Sequence, residues 1–152
     1  MEKTLRSAPE TKKLAERIAK KILKEKHYKH AAVFGLVGEL GAGKTTFIQG
    51  FARALGIRRR LVSPTFLIFR NYQLTINPGR AGNYRRLYHV DCYRIHKPKE
   101  LFAIGFKEIL NDPKNIVLIE WAGRIKKILP KDTIWINFEY GKKINERIIG
   151  HK

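Results

Sequence analysis

The order of apolar and polar residues predicts helices that alternate with strands. The run AAVFGLV at 31–37 is typical of a strand that is buried on both faces of a sheet. After it, five apolar residues recur at helical spacing: Phe47, Ile48, Phe51, Ala52 and Leu55. Gly56 then stands where a glycine commonly ends a helix. This region therefore predicts a strand, a loop and a helix, in that order.

The flanking regions predict further helices and strands of both directions. SAPE at 7–10 is a capping box that starts a helix reaching about Lys26. Strands are expected from Phe66 to Leu74 and within RRLYHVDCY, and we expect these two strands to pair as antiparallel neighbours. A helix is expected to follow over 98–110. IVLIE is a buried strand, and two closing strands flank a turn at Gly141. We expect one α/β domain over 1–152, with a mixed parallel and antiparallel sheet flanked by helices.

Composition sets the broad class of the protein. The 152 residues are 43% hydrophobic, which suits a single core without disulfides, and the one cysteine, Cys92, fits a reducing cytosol. The charged N-terminus lacks the apolar core of a signal peptide, and no apolar run approaches the roughly 18 residues of a membrane span. We expect a soluble cytoplasmic protein with no membrane partner.

The charge is strongly basic and unevenly distributed. The net charge is +19, of which residues 58–100 carry +8 and residues 31–57 only +1. The basic stretch holds eight arginines: Arg58, Arg59, Arg60, Arg70, Arg80, Arg85, Arg86 and Arg94. Such a surface attracts polyanions, RNA included, in a salt-dependent way. Because no recognised RNA-binding motif accompanies the arginines, a solvated surface without a ligand stays an equal alternative.

The loop GELGAGKTT at 38–46 is the strongest chemical motif. Gly38, Gly43, Lys44 and Thr45 satisfy the phosphate-binding pattern G-x-x-x-x-G-K-[ST], which arises by accident in roughly one chain of this length per hundred. The preceding strand and following helix are the context that the motif needs, and they predict a P-loop NTPase fold. Lys44 would neutralise phosphate charge, and the Thr45 hydroxyl would join a Mg²⁺ shell.

Two acids end strand-like runs, where α/β sheets place their ligands. Glu120 follows four apolar residues, as in a Walker B segment, and can supply a carboxylate for Mg²⁺. Asp91 is a second candidate, although it could simply pair with Arg94. The segment 63–65, SPT, is either a switch that senses the γ-phosphate or a turn, and the sequence leaves both open.

Three nearby residues have both a functional and a structural interpretation. His89 could be a ligand or base, but a lone strand histidine is more often packed in the core. Cys92 is more simply explained as a small core residue than as a nucleophile. Trp121 could line the active site, contact a partner or be a half-buried core aromatic.

Four motifs in this order, GELGAGKTT, SPTF, HVDCYR and LIEW, resemble the TsaE (YjeE) family. These are small bacterial P-loop ATPases required for the threonylcarbamoyladenosine modification of transfer RNA. The resemblance runs from the helix at Ser7 to the closing strands. It implies ATP/ADP and Mg²⁺ as cofactors and hydrolysis with water as acceptor. It also implies a switch or reset motor for TsaD and TsaB type proteins, which modify adenosine 37 of tRNA.

The resemblance also implies roles for individual residues. Lys44, Asp91 and Glu120 would be catalytic, and Thr45 would hold the metal together with the two acids. Coupling to partners would involve Ser63, Pro64, Thr65 and Trp121. Nucleotide contacts would come from the loop and three outlying residues: Gly38, Glu39, Leu40, Gly41, Ala42, Gly43, Lys44, Thr45, Thr46, Thr11, Thr65 and Arg147.

Two other classes of protein stay open from the sequence alone. A small P-loop kinase would transfer phosphate to a nucleoside or other small molecule, and the arginines at 58–60 could imitate its phosphate clamp. Phosphate release without an added acceptor separates this class from an ATPase. An RNA-binding module with a vestigial P-loop is the third class, and nucleotide affinity distinguishes it.

Overall fold

A computed structural model describes residues 1–25, 29–62, 64, 67–75 and 84–151 of the protein. Seven strands form one mixed sheet in the order β1-β7-β6-β2-β5-β4-β3. The strands are β1 Glu2–Leu5, β2 Ala32–Gly38, β3 Phe69–Gln73, β4 Arg86–Asp91, β5 Asn115–Glu120, β6 Ile134–Tyr140 and β7 Arg147–His151. The helices are α1 Ala8–Ile22, α2 Lys44–Ala54, α3 Lys99–Phe102, α4 Phe106–Asn111 and a 3₁₀ helix Ala122–Ile128.

The mixed sheet predicted from the sequence is confirmed. Strands β6, β2, β5 and β4 are parallel neighbours, whereas the pairs β1–β7, β6–β7 and β3–β4 are antiparallel. The two apolar runs form the centre of the sheet, because every residue of β5 and the first five of β2 are buried. Burial on both faces is what makes these two strands continuously apolar.

Two cores lie on opposite faces of the sheet. Helices α1 and α2 cover one face, where Phe34, Phe47 and Phe51 are fully buried. The short helices α3 and α4 and the 3₁₀ helix cover the other face, around Phe106 and Ile119. No helix in the described part of the chain is long and apolar enough to cross a membrane.

Several element boundaries differ from the sequence prediction. Helix α1 starts as predicted, with the Ser7 hydroxyl accepting from the Glu10 N–H, but it ends at Ile22 rather than Lys26. The single helix expected over 98–110 is two helices, because Gly105 adopts a left-handed φ of 82° between them. Strand β1 was not predicted; it is four residues long and is recognisable only through its pairing with β7.

The contact between α1 and α2 depends on a glycine within a helix. A Cβ at Gly50 would lie 2.5 Å from both the Cα and the carbonyl oxygen of Lys12. The two helix backbones therefore approach at a distance that only glycine permits. This packing fixes the axis of α2, and α2 in turn fixes the position of the loop before it.

Candidate nucleotide-binding site

The glycine loop connects the end of β2 to the start of α2, and two of its positions, Gly43 and Gly38, require glycine for different reasons. Gly43 has a φ of 103° with open space where a Cβ would be, so its conformation rather than crowding requires glycine. Gly38 is required by crowding, because its Cβ would lie 2.5 Å from the Phe138 carbonyl oxygen. Helix α2 begins immediately after Gly43, so the first N–H groups of α2 have no intrahelical acceptor and can bind an anion.

A cleft of about 520 Å³ opens between this loop and the carboxyl ends of β4 and β5. Many of the predicted site residues line it: Leu40, Gly41, Gly43, Lys44, Thr45, Thr46, Pro64, Asp91, Glu120 and Trp121. These residues come from four separate segments of the chain. Their convergence at the carboxyl ends of parallel strands is typical of ligand sites in α/β folds.

Lys44 is buried and held against the loop. Its Nζ donates hydrogen bonds to the carbonyl oxygens of Gly38 at 2.7 Å and of Glu39 at 2.8 Å. Burial lowers the pKa of Lys44 below that of an ordinary lysine, while the charges of Glu120 and Asp91 oppose that shift. The ammonium is thus held in place at the wall of the cleft, where it can face an anionic ligand.

The two acids lie side by side, since Asp91 and Glu120 are register partners on the parallel strands β4 and β5. The Thr45 hydroxyl lies 3.3 Å from each carboxylate oxygen of Glu120. The Asp91 carboxylate accepts the backbone N–H of Tyr93 at 2.9 Å. Helix α2 and two strands therefore bring one hydroxyl and two carboxylates to one end of the cleft.

This set of oxygen donors fits Mg²⁺ bound together with phosphates. Mg²⁺ prefers oxygen ligands and usually takes one or two carboxylates, with phosphate and water oxygens completing its octahedron. No group of three or more His, Cys, Asp or Glu side chains that could hold a metal occurs in the described ranges. The protein therefore supplies a partial ligand set, and Thr45, Asp91 and Glu120 are the residues that would hold the ion.

His89 lies beside the two acids of the cleft, a position that the sequence prediction did not assign to it. It is fully buried, as a core histidine would be, but its Nε2 lies 2.8 Å from Oε1 of Glu120. His89 and Asp91 are two residues apart on β4, so both side chains project from the same face as Glu120. The spacing H-x-D in a predicted strand could have indicated this position, because alternate residues of a strand project from the same face of the sheet.

Trp121 forms the wall of the cleft with a strained backbone. Its φ is 59°, the only positive φ of a non-glycine residue among those described, and this conformation is costly for a bulky side chain. The Lys44 Nζ lies 4.2 Å from the centre of its ring, and the Tyr93 ring is 5.1 Å away. The indole therefore covers the lysine and does not simply fill the core. Periodicity cannot reveal such a conformation.

Arg147 contacts the outer side of the glycine loop. Its guanidinium donates to the Gly41 carbonyl oxygen at 3.3 Å and lies 4.6 Å from the centre of the Tyr140 ring. The Tyr140 hydroxyl donates to the Leu40 carbonyl oxygen. Arg147 thus supports the loop that carries the phosphate-binding groups, and direct contact with a nucleotide stays a prediction.

The remaining predicted residues lie elsewhere. Thr11 does not line the cleft: it is buried in the first turn of α1 and its hydroxyl donates to the Ser7 carbonyl. Gly38, Glu39 and Ala42 belong to the loop but not to the lining, and the first two contribute through the carbonyls that hold Lys44. Ser63 and Thr65 fall outside the described residues. Their assigned roles stay predictions.

Cys92 is a core residue, as its sequence context suggested. It is fully buried under the second core, and burial together with the charge of Asp91 raises the pKa of its thiol to about 12. A thiol that stays protonated is a poor nucleophile.

A P-loop between a buried strand and a helix, with acids at the neighbouring strand ends, defines a P-loop nucleotide-binding protein. The family model described as "Threonylcarbamoyl adenosine biosynthesis protein TsaE" matches residues 5–149. The chain belongs to the TsaE family, and this membership connects it with threonylcarbamoyladenosine biosynthesis.

Individual relatives agree with this assignment. A "tRNA threonylcarbamoyladenosine biosynthesis protein TsaE" of Rickettsia conorii is 36% identical over 98% of this chain and 78% of that protein. The Bacillus subtilis protein of the same description is 40% identical over 68% of this chain and 59% of that protein. The crystal structure of Bacillus subtilis YdiB has a TM-score of 0.73 at 31% identity and covers 98% of this chain and 82% of its own.

Proposed function

We propose that this protein binds ATP with Mg²⁺ in the cleft and hydrolyses it to ADP and phosphate, with water as the acceptor. The observation that supports this proposal best is the convergence of Lys44 and Thr45 with Asp91 and Glu120. A loop that only bound phosphate would not need two carboxylates beside it, because they repel an anion unless a cation lies between them.

Each of these residues has a distinct task in the proposed reaction. The Lys44 ammonium stabilises the negative charge on the β- and γ-phosphate oxygens. Thr45, Asp91 and Glu120 would hold the ion, and either acid could also orient the attacking water. Bound Mg²⁺ would neutralise phosphate charge as it develops. Trp121 covers Lys44 and limits the access of water to its ammonium.

We further infer that hydrolysis serves tRNA modification. The chain would act as a nucleotide switch or reset motor for TsaD and TsaB type proteins, which modify adenosine 37 of tRNA. Family membership and the names of the relatives support this role. Coupling would pass through Pro64 and Trp121 at the cleft and through Ser63 and Thr65.

Phosphate release tests the proposed activity. Purified protein is incubated with ATP and Mg²⁺ without any acceptor, and then with TsaD and TsaB type proteins from the same source. We expect slow release alone and faster release with the partners. Phosphate transfer that requires an added nucleoside would identify a kinase instead. The absence of nucleotide affinity would leave an RNA-binding module with a vestigial P-loop.

A further inference from the structure

A second concave surface lies at the end of α2 opposite the nucleotide cleft. It has a volume of about 740 Å³ and is lined by five basic residues: Lys12, Arg53, Arg58, Arg59 and Arg60. We call it the basic groove. Its remaining lining residues are uncharged, so no acidic side chain offsets these cations within the described part of the groove.

The shape of the groove follows from how α2 ends. Gly56 adopts a left-handed φ of 82°, and the N–H groups of Gly56 and Ile57 donate to the carbonyls of Arg53 and Ala52. This is a Schellman motif, which turns the chain sharply away from the helix axis. The turn brings the arginines at 58–60 back beside Arg53, and the close contact at Gly50 brings Lys12 of α1 alongside.

The groove is a defined arrangement and not only a stretch of flexible side chains. The Arg59 guanidinium lies 4.6 Å from the centre of the Tyr72 ring, and Tyr72 is itself buried on β3. Gln49 donates to the Leu61 carbonyl at 3.4 Å, which connects the arginine segment back to α2. Stacking on an aromatic ring orients a guanidinium at little cost in side-chain entropy.

The five cations repel each other, and no acidic residue stands among the described residues that line the groove, so this arrangement is most stable when an anion is present. Basic residues near a helix C-terminus do gain from its dipole, but that gain is only about 0.3–1 kcal/mol each and is confined to the last turn. Arg53 is in that turn, whereas Arg58, Arg59 and Arg60 lie beyond it and are exposed. The helix dipole therefore does not explain the cluster.

We propose that the basic groove binds the phosphate backbone of RNA, specifically tRNA. Its choice of RNA over other polyanions rests on the proposed function in tRNA modification. Arginines suit phosphate because their planar donors can bind two oxygens at once. The cations that line the groove can contact phosphates of the nucleic-acid backbone, and the +19 charge of the chain attracts the rest of a polyanion.

The test compares two triple variants with the same loss of charge. Arg58→Ser, Arg59→Ser and Arg60→Ser remove the arginine segment. The control, Lys107→Ser, Lys114→Ser and Lys127→Ser, removes three exposed lysines from the region of α4, β5 and the 3₁₀ helix. Binding of purified tRNA is titrated at several salt concentrations, because each lost phosphate contact lowers the salt slope by about 0.7–0.9.

We expect the groove variant to bind tRNA at least about 10-fold more weakly near 0.1 M salt, with a slope reduced by about two. The lysine control should keep most of the tRNA affinity and most of its salt dependence. Wild-type affinity and slope in the groove variant would overturn the proposal. So would equal losses in both variants, since these would show a general effect of net charge. If the groove variant still bound tRNA but no longer bound a partner protein, the proposal would be wrong, and the groove would instead bind an acidic protein surface.

The same variants separate this inference from the proposed ATPase function. The groove residues do not line the nucleotide cleft, so ATP hydrolysis should stay close to that of the wild-type protein. Loss of tRNA binding with normal hydrolysis supports the groove. Normal tRNA binding with no hydrolysis in the wild-type protein would contradict the ATPase proposal and leave the groove standing.

A different observation carries a second inference: we infer that His89 is a positioning residue for Glu120. Nε2 of His89 lies within hydrogen-bond distance of Oε1 of Glu120, at 2.8 Å, and this is the contact through which the imidazole can orient the carboxylate. Nδ1 then has no hydrogen-bond partner among the described residues although it is fully buried. Such a group is costly to bury and is retained where its other nitrogen has a task. That task is to hold the Oε1 oxygen of Glu120 in a fixed position beside the Thr45 hydroxyl.

Two variants test this positioning role. His89→Leu removes the donor, whereas His89→Gln keeps an N–H of similar reach. Mg²⁺-dependent ATP affinity and the apparent Mg²⁺ affinity are measured beside hydrolysis. We expect the leucine variant to lose about 10-fold or more in Mg²⁺ affinity, as for other residues that orient metal ligands, and the glutamine variant to recover most of it. Equal behaviour of both variants, with folding intact, would show that His89 is only a packed core residue.

Discussion

The two ends of helix α2 differ in the burial of their basic residues and in the presence of acidic residues beside them. At its N-terminal end, Lys44 is buried beside Glu120 and Asp91, and its ammonium is fixed by two carbonyl oxygens. At its C-terminal end, Arg58 and its two neighbours are exposed and accompanied by further cations but by no acid in the groove. The first arrangement suits chemistry on a small ligand, and the second suits contact with a long polyanion.

The difference shows what burial does to a charge. Exposed charges are screened by salt over about 8–10 Å, so the basic groove should respond strongly to ionic strength. Charges at the cleft are partly shielded from solvent and act at short range, so salt should affect them little. One basic protein can thus contain two anion sites that respond differently to the same change in conditions.

The largest expected effect comes from removing the buried cation. Lys44→Ala should lower ATP hydrolysis by about 100-fold or more, because the charge facing the β/γ-phosphates is lost while the backbone N–H groups stay. ADP affinity should fall less than hydrolysis. Steady-state phosphate release and calorimetric titration measure the two quantities. Lys107→Ala, an exposed lysine on α4, is the control. Unchanged ATP affinity and turnover in Lys44→Ala would contradict the proposal that the cleft binds the phosphates of ATP through this lysine.

Neutralising the acids should have the next largest effect. Glu120→Gln keeps the shape of the side chain but removes its charge, so we expect ATP to bind while hydrolysis falls by about 100-fold. Asp91→Asn should act in the same direction with weaker dependence on Mg²⁺. Hydrolysis across a Mg²⁺ series measures both. Near-normal turnover in the two variants would assign the metal to other residues.

A substitution halfway along α2 should affect the stability of the fold and not the nucleotide cleft or the basic groove. Gly50→Ala gains about 1 kcal/mol of helix propensity. Overpacking against the Lys12 backbone costs typically about 1–3 kcal/mol. The expected change in the free energy of unfolding is therefore a net loss of about 0–2 kcal/mol, near 2 kcal/mol if the two helix backbones cannot move apart. Urea unfolding measures it. Gly123→Ala is the control, because a Cβ at Gly123 meets no atom within 4 Å. Equal stability of both variants would mean that α1 and α2 can separate without cost.

The smallest expected effect is optical. The chain has two tryptophans, and only Trp121 lines the cleft. Nucleotide binding near the Lys44 ammonium should change the fluorescence of Trp121, since the charge lies 4.2 Å from its ring. Trp135→Phe should keep this change and Trp121→Phe should lose it. A signal that follows Trp135 would place the ligand away from the cleft.

Local chemistry explains why much of the fold was predictable. Strands β2 and β5 are continuously apolar because they are central, and α2 is bounded by Gly43 and Gly56, whose backbone conformations few other residues adopt. The predictions that failed lacked such signals. The end of α1 has no terminating glycine, and β1 is an edge strand defined by its partner β7. The helix expected over 98–110 is interrupted at Gly105, whose left-handed backbone separates α3 from α4.

For the candidate site, the sequence by itself determined the types of residue. The P-loop pattern and the acids that end two strands follow from local rules, because a phosphate cradle and a carboxylate at a strand end each need only a short segment. Tertiary structure alone decided how distant residues meet. The register of β4 and β5 brings Asp91 beside Glu120, and burial joins His89 to the same acid. The turn after α2 gathers five cations from two helices and a loop. Such contacts depend on where elements pack, and packing is a property of the whole chain.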